Sequence, residues 1–221
     1  MSARSSTSGC RITTASRPRA RGRSRIATSS SHPLDAWLAA VVATPGLTSL
    51  RDPAEARRVL LEDSLRGLEL VQRFEGPIVD VGSGGGAPGI PLAHALPDRE
   101  VALLEANGRK CAFLREHAPA NARVIQGRAE EQEVDLYGVA LAKALAAPPV
   151  AAEWCLPLVR PGGAAILWVG PSAEAERVAA VAARLAGEVE GADGFLVLRK
   201  VGPTPAGFPR RPGMAKKRPL A

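Results

Sequence analysis

The segment IVDVGSGGGAPGIP, residues 78–91, constrains the fold of this chain more than any other part of the sequence. It begins with a short apolar run at 78–81, rich in β-branched residues, which is typical of a buried parallel strand. Gly82, Gly84 and Gly86 follow directly, and the apolar spacing after them is helical. A strand, a glycine-rich turn and a helix in this order predict the first unit of a doubly wound α/β fold, in which backbone approaches a ligand closely.

Two classes of cofactor bind such a turn. A dinucleotide site has the pattern G-x-G-x-x-G, and this chain has Ala87 at the third glycine, where alanine is tolerated. Asp80 favours S-adenosylmethionine instead, because a carboxylate can meet the ammonium of a methionine moiety and would repel a pyrophosphate. Glu105 ends the next apolar run and can accept hydrogen bonds from both ribose hydroxyls of either cofactor. We therefore predict S-adenosylmethionine, with NAD as the alternative.

Apolar runs and helical segments alternate from residue 77 to residue 202. The predicted strands are 78–81, 101–104, 124–125, 138–142, 164–169 and 195–198, and the predicted helices between them are 107–117, 147–158 and 172–186. This alternation predicts βαβ units and a mainly parallel sheet.

Residues 32–76 are predicted to form an N-terminal helical cap. One helix begins at Pro33 and carries Trp37, Leu38 and Val41 on one face, and Thr44-Pro-Gly ends it. A longer helix begins at the capping sequence Asp52-Pro-Ala-Glu and carries Leu61, Leu65 and Leu68.

Charge is segregated along the chain. The net charge is +7, yet residues 1–30 carry seven arginines and residues 199–221 carry seven basic residues, with no acidic residue in either segment. The middle of the chain is therefore net acidic, and the basic ends indicate a polyanionic partner. Residues 1–31 are interpreted as a disordered basic arm or an over-long start of the reading frame, although their composition also fits a transit peptide.

The three cysteines contain no C-x-x-C pair, so neither a disulfide framework nor a zinc site is indicated, and a reducing cytoplasm is expected. The longest apolar run, 36–43, is too short to span a bilayer, and no secretory signal precedes it. We expect a cytoplasmic protein, a monomer, without a bound metal and without a membrane partner.

The run DVGSGGGAPGIPLA, which begins at Asp80, resembles the cofactor motif of the ribosomal RNA small-subunit methyltransferase G family, also called glucose-inhibited division protein B. Further segments match in order: LTSLR at 47–51, EDSL at 62–65, LEANGRK at 104–110, GRAE at 127–130, FPRRPG at 208–213 and KRPL at 217–220. The resemblance implies a Rossmann-like class I S-adenosylmethionine-dependent methyltransferase domain at 77–202. It also implies methylation of a guanine N(7) of 16S ribosomal RNA, in the decoding region of the small ribosomal subunit.

The resemblance implies roles for further residues. Gly82 and Ala87 fall where the family's loop meets the cofactor, and Ala129 and Glu130 fall where the family contacts adenosine. Lys143 stands where the family has arginine; it is a candidate for catalysis or for holding the cofactor carboxylate, and the alternative is a strand-end lysine that snorkels to solvent. The chain also departs from the family at two other positions, with Val169 in place of lysine and Leu60 in place of histidine.

Residues 203–221 form a basic C-terminal tail in which three prolines prevent a continuous helix. The cations Arg210, Arg211, Lys216, Lys217 and Arg218 are expected to project from it and bind RNA. The alternative is a strap that packs back on the acidic body. Two other functions also remain open: a non-catalytic ribosome-binding protein, and a small-molecule methyltransferase that the basic tail disfavours.

Overall fold

The structure, a computed structural model, describes residues 33–170 and 174–221. The predicted basic arm at 1–31 lies outside these residues, as does the start of the helix predicted at 172–186. One sheet of seven strands organises the described chain. The strands are β1 Ile78–Val81, β2 Val101–Glu105, β3 Ala122–Gln126, β4 Tyr137–Lys143, β5 Val159–Trp168, β6 Gly187–Ala192 and β7 Phe195–Lys200.

The strand order is β3-β2-β1-β4-β5-β7-β6, and β1 to β5 run parallel. β7 runs antiparallel to both β5 and β6. The order reverses between β1 and β4, and this switch point opens a crevice at the carboxyl ends of the two strands. The predicted doubly wound architecture is confirmed, with an antiparallel pair at one edge.

Two parts of the sheet were not predicted. β6 has the sequence GEVEGA, in which glycines and glutamates leave no apolar run. The first half of β5 contains Pro161-Gly-Gly, a sequence more typical of a turn. Both segments are extended because neighbouring strands pair with them, which is information that a local pattern does not carry.

The cap consists of short helices before β1. They are α1 Pro33–Ala43, α2 Pro53–Ala56, a π-helical turn at Arg57–Glu62, α3 Asp63–Leu65 and α4 Leu68–Gln72. The prediction for α1 is confirmed, since Trp37, Leu38 and Val41 are buried on one face. The start of α2 is confirmed too, because the Asp52 side chain accepts a hydrogen bond from the Glu55 amide at 2.7 Å.

The longer cap helix is not continuous, contrary to the prediction. In the π turn the Asp63 amide donates to the Arg58 carbonyl, five residues back. The helix is interrupted again at Gly67, where a Cβ atom would lie 2.4 Å from the Trp168 ring. The Trp168 indole N–H also donates to the Asp63 carbonyl at 2.9 Å. The cap helix is therefore interrupted where the Trp168 side chain, at the end of β5, packs against it.

Four α-helices after β1 cover the two faces of the sheet: α5 Gly89–Ala95, α6 Gly108–His117, α7 Pro148–Cys155 and α8 Ala175–Arg184. A short helix, α9 Met214–Lys217, packs against α7, and short 3-10 helices lie at Ala129–Glu131 and Leu156–Leu158. The cap packs with α5 and α6 on the face that carries Ile78, and α7 and α8 pack on the opposite face, which carries Val79 and Val81. No helix within 33–170 or 174–221 has the length and hydropathy needed to cross a membrane.

Candidate cofactor and substrate site

Two adjoining pockets lie at the carboxyl edge of the sheet, at the switch point between β1 and β4. The β2 pocket, of about 350 Å³, is lined by residues that follow β1, β2 and β3, among them Glu105, Ala129 and Glu130. The cap pocket, of about 390 Å³, lies between the glycine loop and the helical cap. Gly82, Lys110 and Ala144 line both pockets, so the two volumes meet at these residues.

The glycine loop, residues 82–86, forms the floor between the pockets. At Gly82 the backbone φ is +71°, and a Cβ atom would lie 2.3 Å from Leu145 Cδ1. A side chain at this position would have a strained backbone and would displace the end of the Leu145 side chain, so glycine is favoured here. The loop is held from the cap by Trp37, whose indole N–H donates to the Gly85 carbonyl at 2.8 Å.

Glu105 holds the loop from the other side. One carboxylate oxygen accepts from the Gly84 amide at 3.0 Å, and the other accepts from the Asn107 amide at 2.8 Å. The side chain is buried beside the β2 pocket, together with Ala129 and Glu130. The structure therefore brings these three predicted residues together with Gly82. Ala87 and Gly84 line the cap pocket instead, and Gly86 is buried under Trp37.

Asp80, predicted to meet the ammonium of the cofactor, is buried in the sheet. It shares the cap-side face of β1 with Ile78, is only 1% exposed and lines neither pocket. Its carboxylate accepts from the Gly89 amide at 3.1 Å, at the start of α5. Burial raises the pKa of Asp80 from 3.8 to about 7, and the Gly89 hydrogen bond offsets part of this shift.

Lys143, the candidate for catalysis or for holding the cofactor carboxylate, has partners in the cap. Its side chain is 11% exposed, and the ammonium lies 3.2 Å from the Asp63 carboxylate. The ammonium also donates to the Val59 carbonyl at 2.9 Å, a carbonyl within the π turn of the cap. The next residue, Ala144, has a φ of +53°, which is uncommon for alanine and places a strained backbone at the junction of the pockets.

The C-terminal strap, residues 203–221, lies against the body of the protein. Arg210 was expected to bind RNA, but its Nε and Nη2 atoms each lie 2.6 Å from a carboxylate oxygen of Glu153, which is 4% exposed. A buried carboxylate on α7 requires a cation, and Arg210 supplies it. The other predicted RNA-binding residues, Arg211, Lys216, Lys217 and Arg218, are exposed.

Sequence reasoning missed several residues that line the pockets. Lys110 follows Glu105 by five positions in the LEANGRK segment, so its place in the first turn of α6 offered a signal. Trp154 on α7 and Leu145 after β4 line the β2 pocket, and their local sequence gives no such signal. Of the two further departures from the family pattern, Leu60 lines the cap pocket and Val169 packs against the core cluster on the α7 and α8 face.

The described residues contain no group of three or more His, Cys, Asp or Glu side chains placed to hold a metal ion. A broader depression of about 810 Å³ lies at the opposite edge of the sheet, around Pro77 and Glu100. Arg99 lines this depression, and its Nε donates to the Gly76 carbonyl at 3.0 Å. This hydrogen bond joins two segments of the chain at that edge.

Comparison with known proteins identifies similar chains. A protein of Synechococcus sp. (strain JA-3-3Ab) named ribosomal RNA small subunit methyltransferase G is 39% identical over 207 residues, which cover 80% of this chain and 79% of the relative. The protein of the same name from Rubrobacter xylanophilus is 38% identical over 195 residues, 75% of each chain.

Solved structures resemble the chain more distantly. A TehB-like SAM-dependent methyltransferase of Corynebacterium glutamicum matches with a TM-score of 0.48 and 18% identity, over 62% of this chain and 87% of that one. The antibiotic-resistance methyltransferase Kmr matches with a TM-score of 0.46 and 17% identity, over 64% and 91%.

The family model described as GidB, rRNA small subunit methyltransferase G, matches residues 35–190. This range includes the cap, the glycine loop, β1 to β5 and most of β6. The fold is a Rossmann-like class I S-adenosylmethionine-dependent methyltransferase fold. The chain belongs to the rRNA small subunit methyltransferase G family.

Proposed function

We propose that this protein uses S-adenosylmethionine to methylate the N(7) atom of a guanine in 16S ribosomal RNA, within the small ribosomal subunit and in the cytoplasm. Membership of the family supports the RNA substrate. The composition of the cap pocket carries the argument for N(7).

The described residues that line the cap pocket include no Asp, Glu, His, Cys or Tyr. Methyl transfer to a hydroxyl or carbon atom, and often to an amine, is assisted by a group that removes a proton or by a thiol that adds to the base. Guanine N(7) has an unprotonated lone pair and requires neither. Apart from its two lysines, the described lining of the pocket offers no such group, which fits N(7) as the acceptor and leaves catalysis to alignment and electrostatics.

The β2 pocket fits the cofactor. Its volume of about 350 Å³ is in the range of small-molecule sites. The bare backbone at Gly82 allows close approach, and Ala129 leaves room for a flat ring beside Glu130. Glu105 also lines the pocket and has oxygens that can accept from ribose hydroxyls. When bound, S-adenosylmethionine supplies an electrophilic methyl group on its sulfonium.

Lys143 and Lys110 are the basic side chains that face the cap pocket among the described residues. A cation here can meet the carboxylate of the cofactor or the O(6) atom on the acceptor edge of guanine. Asp63 keeps the Lys143 pair close to neutral, which is favourable because a guanine ring gains positive charge as N(7) is methylated. We therefore assign Lys143 to electrostatic positioning and not to proton transfer.

The exposed cations Arg211, Lys216, Lys217 and Arg218 supply attraction to RNA phosphates. Arg210 anchors the strap that carries them.

The decisive experiment is transfer of labelled methyl groups from S-adenosylmethionine to small ribosomal subunits that lack the modification, followed by nucleoside analysis. Label in 7-methylguanosine is the expected result. Label at another nucleoside contradicts the choice of acceptor atom. Binding to the subunit without any methyl transfer supports the non-catalytic alternative, and transfer to free small molecules but not to RNA supports the small-molecule alternative.

A further inference from the structure

The C-terminal strap is fixed to the body along its length. At its start, Thr204 donates to the Asp135 carboxylate at 2.7 Å and accepts from the buried ammonium of Lys200 at 2.7 Å. In its middle, Arg210 pairs with Glu153. At its end, arginines of α8 donate to the last two carbonyls, with Arg184 reaching Leu220 at 3.4 Å. A segment held at its start, middle and end is part of the folded domain.

The middle of the strap forms one wall of the β2 pocket. The Gly213 amide donates to a Glu130 carboxylate oxygen at 3.0 Å. Three residues later, the Lys216 ammonium lies 5.2 Å from the centre of the Trp154 ring, a cation–π contact. Glu130, Trp154 and Lys216 all line the β2 pocket. The strap therefore contributes the Lys216 side chain to the pocket wall and contacts two further lining residues, Glu130 and Trp154.

Trp154 carries an unused hydrogen-bond donor. Its indole nitrogen is buried and has no hydrogen-bond partner among the described residues, the one such side-chain atom found there. A buried donor without a partner is costly, so the indole nitrogen would gain from an acceptor that a bound ligand brought within its reach. A purine offers ring nitrogens as acceptors and a flat face for an aromatic side chain.

We propose that the strap is a component of the cofactor site, in which Lys216 and Trp154 enclose the adenosine end of S-adenosylmethionine opposite Glu105 and Ala129. This inference rests on the proposed function. It gives Lys216 a role in cofactor binding besides its contact with RNA, and it makes the strap more than a brace for stability.

The adjacent pair Lys216 and Lys217 offers a matched test. Both side chains are exposed cations on α9, but Lys217 does not line the pocket. The affinity for S-adenosylhomocysteine is measured by calorimetry on the full chain, for wild type, Lys216→Ala, Lys216→Arg and Lys217→Ala, with thermal unfolding of each variant as a control for folding.

We expect Lys216→Ala to weaken binding by up to about fivefold, the upper end of the range for a cation–aromatic contact at an exposed position. Lys216→Arg should restore most of the affinity, and Lys217→Ala should bind within about twofold of wild type, since it leaves the wall of the pocket intact. The two alanine variants should lose the same amount of salt dependence in RNA binding, because each removes one cation.

Equal cofactor affinity in wild type and Lys216→Ala overturns the inference and leaves the proposed function standing. The same holds if Lys217→Ala weakens cofactor binding as much as Lys216→Ala, because the effect then reflects charge and not the pocket wall. A wild-type protein that does not bind S-adenosylhomocysteine overturns the proposed function as well.

Discussion

Replacing Asp80 with asparagine should stabilise the protein at alkaline pH. Asp80 is 1% exposed and accepts a hydrogen bond from Gly89, and burial raises its pKa from 3.8 to about 7. An asparagine side chain has nearly the same shape, and its carbonyl oxygen can still accept from Gly89. The substitution therefore removes the cost of burying a charge without removing the hydrogen bond from the Gly89 amide.

The sign and size of this effect on stability follow from the different pKa of Asp80 in the folded protein and in the unfolded chain. The folded protein retains the Asp80 proton up to about pH 7, whereas the unfolded chain releases it near pH 4, so the folded state is most favoured below pH 4 and loses stability as the pH rises through the raised pKa. A difference of about three pKa units corresponds to roughly 4 kcal/mol when the loss is complete. Between pH 5 and pH 8 the advantage of Asp80→Asn over wild type should grow by roughly 2 to 3 kcal/mol.

The measurement is urea unfolding of both proteins at pH 5 and pH 8, followed by tryptophan fluorescence. Asp98→Asn, at an exposed position, serves as the control for a general effect of removing one carboxylate. A free-energy gap between wild type and Asp80→Asn that does not change with pH, or a variant that is less stable than wild type at pH 8, would refute the argument. If the Asp80 carboxylate also attracts the cofactor's ammonium, the same variant should bind S-adenosylmethionine more weakly than wild type at pH 8.

Three further substitutions test the site and its support. Lys143→Ala should lose methyl transfer to ribosomal subunits while Lys143→Arg keeps it, since arginine retains the cation that faces the cap pocket; equal activity of wild type and alanine variant would return Lys143 to a structural role. Gly82→Ala should weaken cofactor binding in calorimetry because its Cβ would push the Leu145 side chain, which lines the β2 pocket. Gly162→Ala, also at positive φ but with open space around it, should bind normally. Gly67→Ala should lower the free energy of unfolding by about 1 to 3 kcal/mol, measured in urea, because its Cβ would overlap Trp168.

The sequence predicts the parallel core of the fold and the centre of the site because both depend on local patterns. Apolar runs mark β1 to β4, and the carboxyl ends of parallel strands meet at one edge, so the glycine loop and Glu105 had to lie close together. The face of β1 on which Asp80 lies could also have been predicted from the sequence. Side chains alternate along a strand, so Asp80 shares a face with Ile78 and faces away from the side of Val79 and Val81.

Other features depend on residues far apart in the chain. The partner of Arg210 lies 57 positions away, on a helix whose carboxylate shows no local sign of needing a cation. The partners of Lys143 lie in the cap, more than 70 positions earlier. A basic tail and an isolated strand-end lysine are sound interpretations of the local sequence. Tertiary pairing changed both, as it commonly does for buried or half-buried charges.

The π turn in the cap sets the rotation of the following helical residues relative to α2. Ala56 and Leu61 are both buried although they stand five positions apart, a spacing that suits a π turn and not an α-helix. Deleting one residue from Arg57–Glu62 would restore an α-helix and rotate everything after it by about 100° relative to α2. Asp63 would then turn away from Lys143, and the Asp63 carbonyl from Trp168. A single substitution in this segment leaves the rotation unchanged, whereas a change in its length does not. We therefore expect related chains to vary here in sequence while keeping the number of residues constant.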